Sequence, residues 1–291
     1  MPARPSPSPA DEPPQPAQAF DAVQRLREQV AGMLPKLPLA TFPPVFVPEP
    51  NPETAILFIL PRSKELLTSQ DAQCLKYQTY LLFCYYPHRV VEHHEHHFSP
   101  SGQLPALLTT DGRLLAGNEI VDEARSKFDP EAKLSKEDRA RMDAFAGLVE
   151  SRLRFGLEYE FWYETDHFDQ IVAPIAGAPY PWPLNFFLPR IERHRRIAWM
   201  LSKKPVLKTE EIFAETRQAL QDLSTELGSQ LYLMGSTPTF VDAALFAYLH
   251  TILSMLKSTQ TESQLRNCVI DFDNLVKYSR RVWNTWSVMF I

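Results

Sequence analysis

The feature that most constrains this chain is a run of six apolar residues, Ala55-Ile56-Leu57-Phe58-Ile59-Leu60, stopped by Pro61. A run without alternation suits a strand covered on both faces, and Pro61, which offers no N–H to a sheet ladder, marks its end. Such a strand needs helices or further chain above and below it, so a sheet with one wet face is excluded. An α/β layer must form around it.

The neighbouring segments supply that layer. Asp71–Cys84 carries apolar residues at helical spacing, and His88–Glu95 reads as a second strand. Ala106–Thr110 and Arg113–Ala116 flank Asp111-Gly112, a pair that favours the tight turn of a hairpin. Asn118 then caps a short helix holding Ile120 and Val121. The order is strand, helix, strand, hairpin, helix, about the size of a small domain.

From Leu134 onward the periodicity changes to long helices. Ser135 and Asp138 form a capping pair ahead of a stripe of Met142, Phe145, Val149 and Leu153. Thr209 is placed to cap a helix with Ile212, Phe213, Leu220, Leu223 and Leu227 inside. Thr239 caps one running to Leu256, and Asp271 starts a last one bearing Leu275, Tyr278, Val282 and Trp286. The stretch between Tyr163 and Arg190 is rich in proline and aromatics and reads as irregular. Thirteen of the 26 prolines lie in the first fifty residues, which predicts a largely disordered arm with one short helix across Phe20–Met33. The expected organisation is therefore an arm at 1–53, an α/β domain at 54–130 and an all-α domain at 131–291.

Composition narrows the function by exclusion. A formal net charge of -5 gives no reason to expect nucleic-acid binding, which needs concentrated basic surface. Three widely spaced cysteines, Cys74, Cys84 and Cys268, suit a reduced compartment better than a disulfide scaffold. The start of the chain lacks the apolar stretch of a signal peptide and carries Asp11 and Glu12, which a basic presequence avoids. No segment has the ~18 continuous apolar residues of a membrane span. The expected protein is soluble or peripheral.

Few residues invite chemistry. His93-His94-Glu95-His96-His97, read as strand, puts His94 and His96 on one face, but no further ligand nearby completes a tetrahedral zinc site. A helix N-terminus can activate a thiol, but Cys74 reads as several residues into its helix, so a packing cysteine is the better default. Arg190, Arg193, His194, Arg195, Arg196, Lys203 and Lys204 make a basic stretch that reads as a solvated face or as a contact for anionic headgroups. Trp182, Phe186, Phe187 and Trp199 serve either an interface or the core under an irregular loop.

Three local patterns carry a resemblance. Gln103-Leu104-Pro105-Ala106-Leu107, with Asp111-Gly112 after it, resembles the thioredoxin-like domain of glutathione transferases, in which the proline before the third strand is cis. Gly235-Ser236-Thr237-Pro238-Thr239-Phe240-Val241-Asp242 resembles the capping box of the central helix in that superfamily, with Thr239 as cap and Asp242 as its partner. Most discriminating is Pro181-Trp182-Pro183-Leu184-Asn185-Phe186-Phe187-Leu188-Pro189, which resembles the Pro-Leu-Asn-Phe-x-Leu-Pro stretch of metaxins; Cys74-Leu75-Lys76 fits the same family. The resemblance spans about Thr54 to Val282. It implies a glutathione-transferase-like fold, a thioredoxin-like domain followed by an all-helical one.

What the metaxin resemblance implies about function is assembly rather than catalysis. The positions matching the γ-glutamyl clamp are Ala116 and Gly117, which offer no hydroxyl or carboxamide, and only Ser63, Ser69 and Cys74 lie near the thiolate position. Lost charge-assisted contacts cost a ligand about 1.5–3 kcal/mol each. The membrane anchor of some members has no counterpart in the sequence, which points to the smaller, unanchored metaxin-like subunit of the fungal sorting and assembly machinery. The expectation is a cofactor-free, metal-free peripheral subunit on the cytosolic face of the mitochondrial outer membrane. Its implied partners are an outer-membrane β-barrel insertase, a second metaxin-like subunit and β-barrel precursors, with an anionic membrane surface as a further contact. Trp182, Asn185, Phe187, Arg190 and Arg193 are the candidate partner-binding residues; Leu104, Pro105, Thr239 and Asp242 are structural. The competing reading is a glutathione-dependent transferase of the same fold.

Overall fold

A sheet of four strands in the order β2-β1-β3-β4 forms the first layer. The strands are β1 (Ala55–Ile59), β2 (His88–Glu92), β3 (Ala106–Leu108) and β4 (Leu114–Ala116). This computed structural model describes residues 52–62, 68–94, 96–257 and 262–290. Residues 1–51, with the helix expected at 20–33, and Ser63 and Glu95 lie outside the described residues. β1 runs parallel to β2, with Ala55 opposite His88, and antiparallel to β3, with Leu57 opposite Leu107. All five residues of β1 are buried, as its unbroken apolar run requires.

Helix α1 (Ala72–Phe83) is the crossover between the two parallel strands, and α2 (Asn118–Lys127) follows the hairpin. Asp71 caps α1 by accepting from the Cys74 N–H at 2.8 Å. Eleven of the twelve α1 residues are buried, because one side faces the sheet and the other faces the central helix of the second half.

The remainder is helical: α3 (Lys136–Leu148), α4 (Arg154–Glu158), α5 (Thr165–His167), α6 (Ala173–Gly177), α7 (Leu184–Lys203), α8 (Thr209–Leu227), α9 (Phe240–Met255), α10 (Gln264–Ile270) and α11 (Asp273–Trp286). Wider π-helical turns at Val149–Leu153, Tyr159–Tyr163 and Phe168–Val172 join several of these. Apolar α9 is the hub and packs against α1, α3 and α11. Its start is held by Asp242, whose carboxylate accepts from the Thr239 N–H (2.9 Å) and hydroxyl (2.7 Å), the Leu233 N–H (2.8 Å) and the Tyr278 hydroxyl (3.0 Å). Burial pushes the pKa of this carboxyl up while the four donors pull it back.

The join between the two halves carries a second buried carboxylate. Glu131 is completely buried, accepts from the Phe240 N–H at 2.8 Å and the Tyr80 hydroxyl at 3.4 Å, and pairs with Arg125. It ties α1, the end of α2 and the start of α9 to one group.

Several expectations need correction. The second strand ends at Glu92: β1 stops at Ile59, so β2 has no neighbour beyond one last bond from the His93 N–H to the Ile59 carbonyl, 2.8 Å. Among the described residues of the cluster, His93, His94, His96 and His97 lie outside any strand, and the His93 ring meets Phe58 and Phe98 edge-on. Gly117, at φ 58°, occupies the cap position expected of Asn118. Thr209 lies inside α8, and its hydroxyl meets the Tyr159 hydroxyl at 2.8 Å instead of capping. Asp271 closes α10 rather than opening the last helix. The Tyr163–Arg190 stretch is mostly helical, with Pro189 inside α7.

Candidate partner-binding surface

Two places were singled out by the sequence, and they have opposite characters. At the first, the Leu104–Pro105 bond is cis, as in the glutathione-binding corner, and Leu104 is buried. Cys74 lies in the first turn of α1, nearer the helix start than the sequence reading put it. Its side chain is fully buried, and its sulfur accepts from the Leu60 N–H at 3.5 Å. Burial, with the Asp71 carboxylate beside it, pushes the thiol well above its ordinary pKa. Ser69 is also buried and donates its hydroxyl to the Leu60 carbonyl at 3.0 Å. The side of α1 facing the Val149–Leu153 turn is filled by charge: Lys76 Nζ lies 2.5 Å from Glu150, which also accepts from Gln73 (3.1 Å) and the Tyr248 hydroxyl (3.2 Å). Desolvation holds Lys76 below the usual ammonium pKa; at Glu150 the same penalty is overcome by Lys76, and the carboxyl lies below its ordinary value. Ala116 lies opposite Ala106 in the ladder, and its N–H donates to the Glu119 carboxylate at 3.4 Å.

The second place opens outward. Trp182, joined to Pro183 by a cis bond, is 83% exposed, and Phe186 and Phe187 are half exposed. Trp182, Asn185, Phe186 and Arg190 line an open cleft of about 450 Å³ together with Asp169 and Pro174. The Arg190 guanidinium lies 3.7 Å over the Phe186 ring, donates to the Phe186 carbonyl at 3.0 Å and faces Asp169 at 3.6 Å. The close approach of α6 to α7 depends on Gly177: a Cβ there would stand 2.5 Å from the Asn185 carbonyl oxygen. That carbonyl is the one to which Pro189 can offer no N–H.

The candidate residues thus divide. Trp182, Asn185 and Arg190 share the cleft, and Phe187 stands on the outer face of α7. Arg193 points inward: its Nε donates to the Trp162 carbonyl (2.7 Å), its terminal nitrogen to the Tyr163 carbonyl (2.8 Å) and Thr165 (3.1 Å), and it lies 4.5 Å over the Phe168 ring. It positions the helix. Sequence reasoning missed Leu184, Ile191 and Leu201, all exposed on α7; their 3–4 spacing with Phe187 was the available signal. Among the described residues, no group of three or more His, Cys, Asp or Glu side chains is placed to hold a metal ion, and no helix is long and apolar enough to cross a membrane.

Residues 74–193 match the family model of the outer mitochondrial membrane transport complex protein, and residues 216–282 that of the glutathione S-transferase C-terminal domain. Over 242 residues the chain is 30% identical to metaxin-2 of Homo sapiens, covering 80% of this chain and 89% of that protein. The chain belongs to the metaxin family. Metaxin-1 of Mus musculus is also 30% identical, over 230 residues, covering 76% of this chain and 71% of its own length. Glutathione S-transferase I from Mais, in complex with an atrazine glutathione conjugate, superposes with a TM-score of 0.51 at 14% identity, over 81% of this chain and 95% of that one. At that identity the likeness shows the fold alone. In this metaxin-family chain the transferase-like fold has its thiol corner filled and its aromatic ledge uncovered.

Proposed function

We propose that this chain is a non-catalytic, peripheral subunit of the mitochondrial outer-membrane sorting and assembly machinery, on the cytosolic face. There it assists the recognition and insertion of β-barrel precursors beside a β-barrel insertase and a second metaxin-like subunit. The observation that carries the reading is the contrast, within a metaxin-family chain, between a sealed thiol corner and an open aromatic ledge. A thiol raised by burial is a poor nucleophile, and the matching clamp positions offer backbone only. The cleft beside Trp182 offers aromatic surface and arginine, the residue types that dominate protein interfaces. We assign Trp182, Asn185, Phe187 and Arg190 to contact with partners, and Arg193 to holding them in place.

The test is affinity purification of the tagged protein from gently solubilised mitochondria. Co-elution of an outer-membrane β-barrel insertase in near-equal amount is the expected result, and its absence would sink the assembly role. Retention on glutathione resin with turnover of a model electrophile would instead establish the transferase reading.

A further inference from the structure

Helix α7 is built inside out. Leu184, Phe187, Ile191, His194, Ala198 and Leu201 follow one another at spacings of three and four, and all six are exposed, the four large apolar ones by 43 to 55%. The face turned to the protein carries Arg193 and Arg196 beside Ile197 and Trp199, which pack partly buried against the core. Arg196 donates to Glu158 at 2.7 Å and lies 5.3 Å from the Trp162 ring, while Pro189 and Met200 are buried beside them. A helix on a globular protein ordinarily buries its apolar stripe and shows its arginines. Here the arginines are spent on carbonyls, a carboxylate and aromatic rings, and the stripe is left to solvent.

The spacing defines what fits. Alternating three and four gives a mean repeat of 3.5 residues, the period that keeps a seam facing a second helix along its whole length. Leu184 to Leu201 spans about 26 Å at 1.5 Å per residue. His194 stands in the middle of the seam, where a single polar group fixes register. The charged residues flanking the exposed stripe are Arg190 and Arg195, on opposite sides. Arg190 has Asp169 at 3.6 Å, and Arg195 shares the single Glu192 carboxylate with Arg196, each at 2.9 Å. A second copy of this chain, in either direction, would set arginine against arginine.

We propose that the outer face of α7 is a docking seam for one α-helix of another protein, a helix of about 18 residues or more with an apolar 3.5-residue stripe flanked by Asp or Glu. This deepens the docking role proposed above by naming the partner's chemistry. Its test uses no mitochondrial component, so its failure and that of the assembly reading are distinguishable.

The probe is a fluorescent peptide of three heptads with Leu at both seam positions and Glu at both flanking positions, whose like charges oppose self-pairing. It is titrated against the full chain by anisotropy, beside a counterpart with Lys at the flanks. Expected is saturable binding of the Glu peptide, at least about tenfold tighter than the Lys peptide and weakened by salt. Ile191→Asp, and independently Leu201→Glu, should abolish it, and Arg195→Glu should weaken it, with unchanged denaturation midpoints. Absent binding, equal binding of both peptides, or binding indifferent to Ile191→Asp would overturn the proposal. So would a concentration-dependent dimer of the chain, or binding to phosphatidylcholine–phosphatidylserine vesicles, that Ile191→Asp removes.

Discussion

Helices α7 and α9 are of similar length and are held by opposite means. Helix α9 is apolar around most of its circumference, and eleven of its sixteen residues are buried. Of the twenty residues in α7, only Pro189 and Met200 are buried. Helix α9 is fixed by packing on every side and by one buried carboxylate at its start. Helix α7 is fixed by arginine forks on carbonyl oxygens, by the close approach of Gly177 to Asn185, and by a narrow apolar strip of Ile197, Trp199 and Met200. Apolar burial therefore builds the scaffold at α9, whereas at α7 arginine contacts share the anchoring with a narrow apolar strip and leave a second apolar face free. That division is what a docking element needs, since its binding surface cannot also be its fold's core.

The contrast can be broken most directly at Asp242. Asp242→Ala leaves three donors without their acceptor, two of them backbone amides, while the Tyr278 hydroxyl keeps the Asp242 carbonyl at 3.2 Å. It is expected to cost about 3–5 kcal/mol in denaturant unfolding. A loss under about 1 kcal/mol would mean that α9 is not organised by its start.

A pH titration sharpens the same point. His250, on α9, meets the Thr68 hydroxyl at 3.5 Å and stacks on Trp283 at 4.9 Å. Burial lowers its pKa from 6.5 to about 4. The unfolded chain therefore takes up the proton first, so this contribution to stability is complete above pH 6.5 and is lost as the pH falls through about 4. The full loss is on the order of 3 kcal/mol. Unfolding midpoints between pH 7 and 4 should fall more steeply than in His250→Phe; equal slopes would remove this histidine from the account.

At α7 the effects are smaller and of another kind. Arg193→Ala strands the Trp162 and Tyr163 carbonyls and is expected to cost about 1–3 kcal/mol. Arg193→Lys should recover only part, because an ammonium lacks the planar fork. Full recovery would reduce the role to charge alone. Ile191→Ser should alter stability by no more than about 0.5 kcal/mol, as for an exposed site. A loss above about 1.5 kcal/mol would mean that the outer stripe already has a partner within the chain.

Much of α9 was legible because its signals are local. The Thr239 to Asp242 spacing and an apolar helix are readable in one dimension, and both stand in the structure. Tyr278, the fourth donor, and Glu131, which reaches the Phe240 N–H, were not, since sequence separation hides both. At α7 the prolines led the sequence reading to an irregular loop. Pro189 stands inside the helix, and the Asn185 carbonyl to which it can offer no N–H lies against Gly177, a contact formed only in three dimensions.

The sequence by itself determined the four-strand α/β layer, the helical remainder, the capping box and the family, because alternation, periodicity and short motifs act over a few residues. The inner stripes of α8 and α11 were also readable from periodicity, but only the tertiary structure decided which face of α7 is inside. For α7 that choice reversed the usual order, since Trp162, Phe168 and Glu158 offer its arginines better partners than water does, and its apolar stripe is left facing outward.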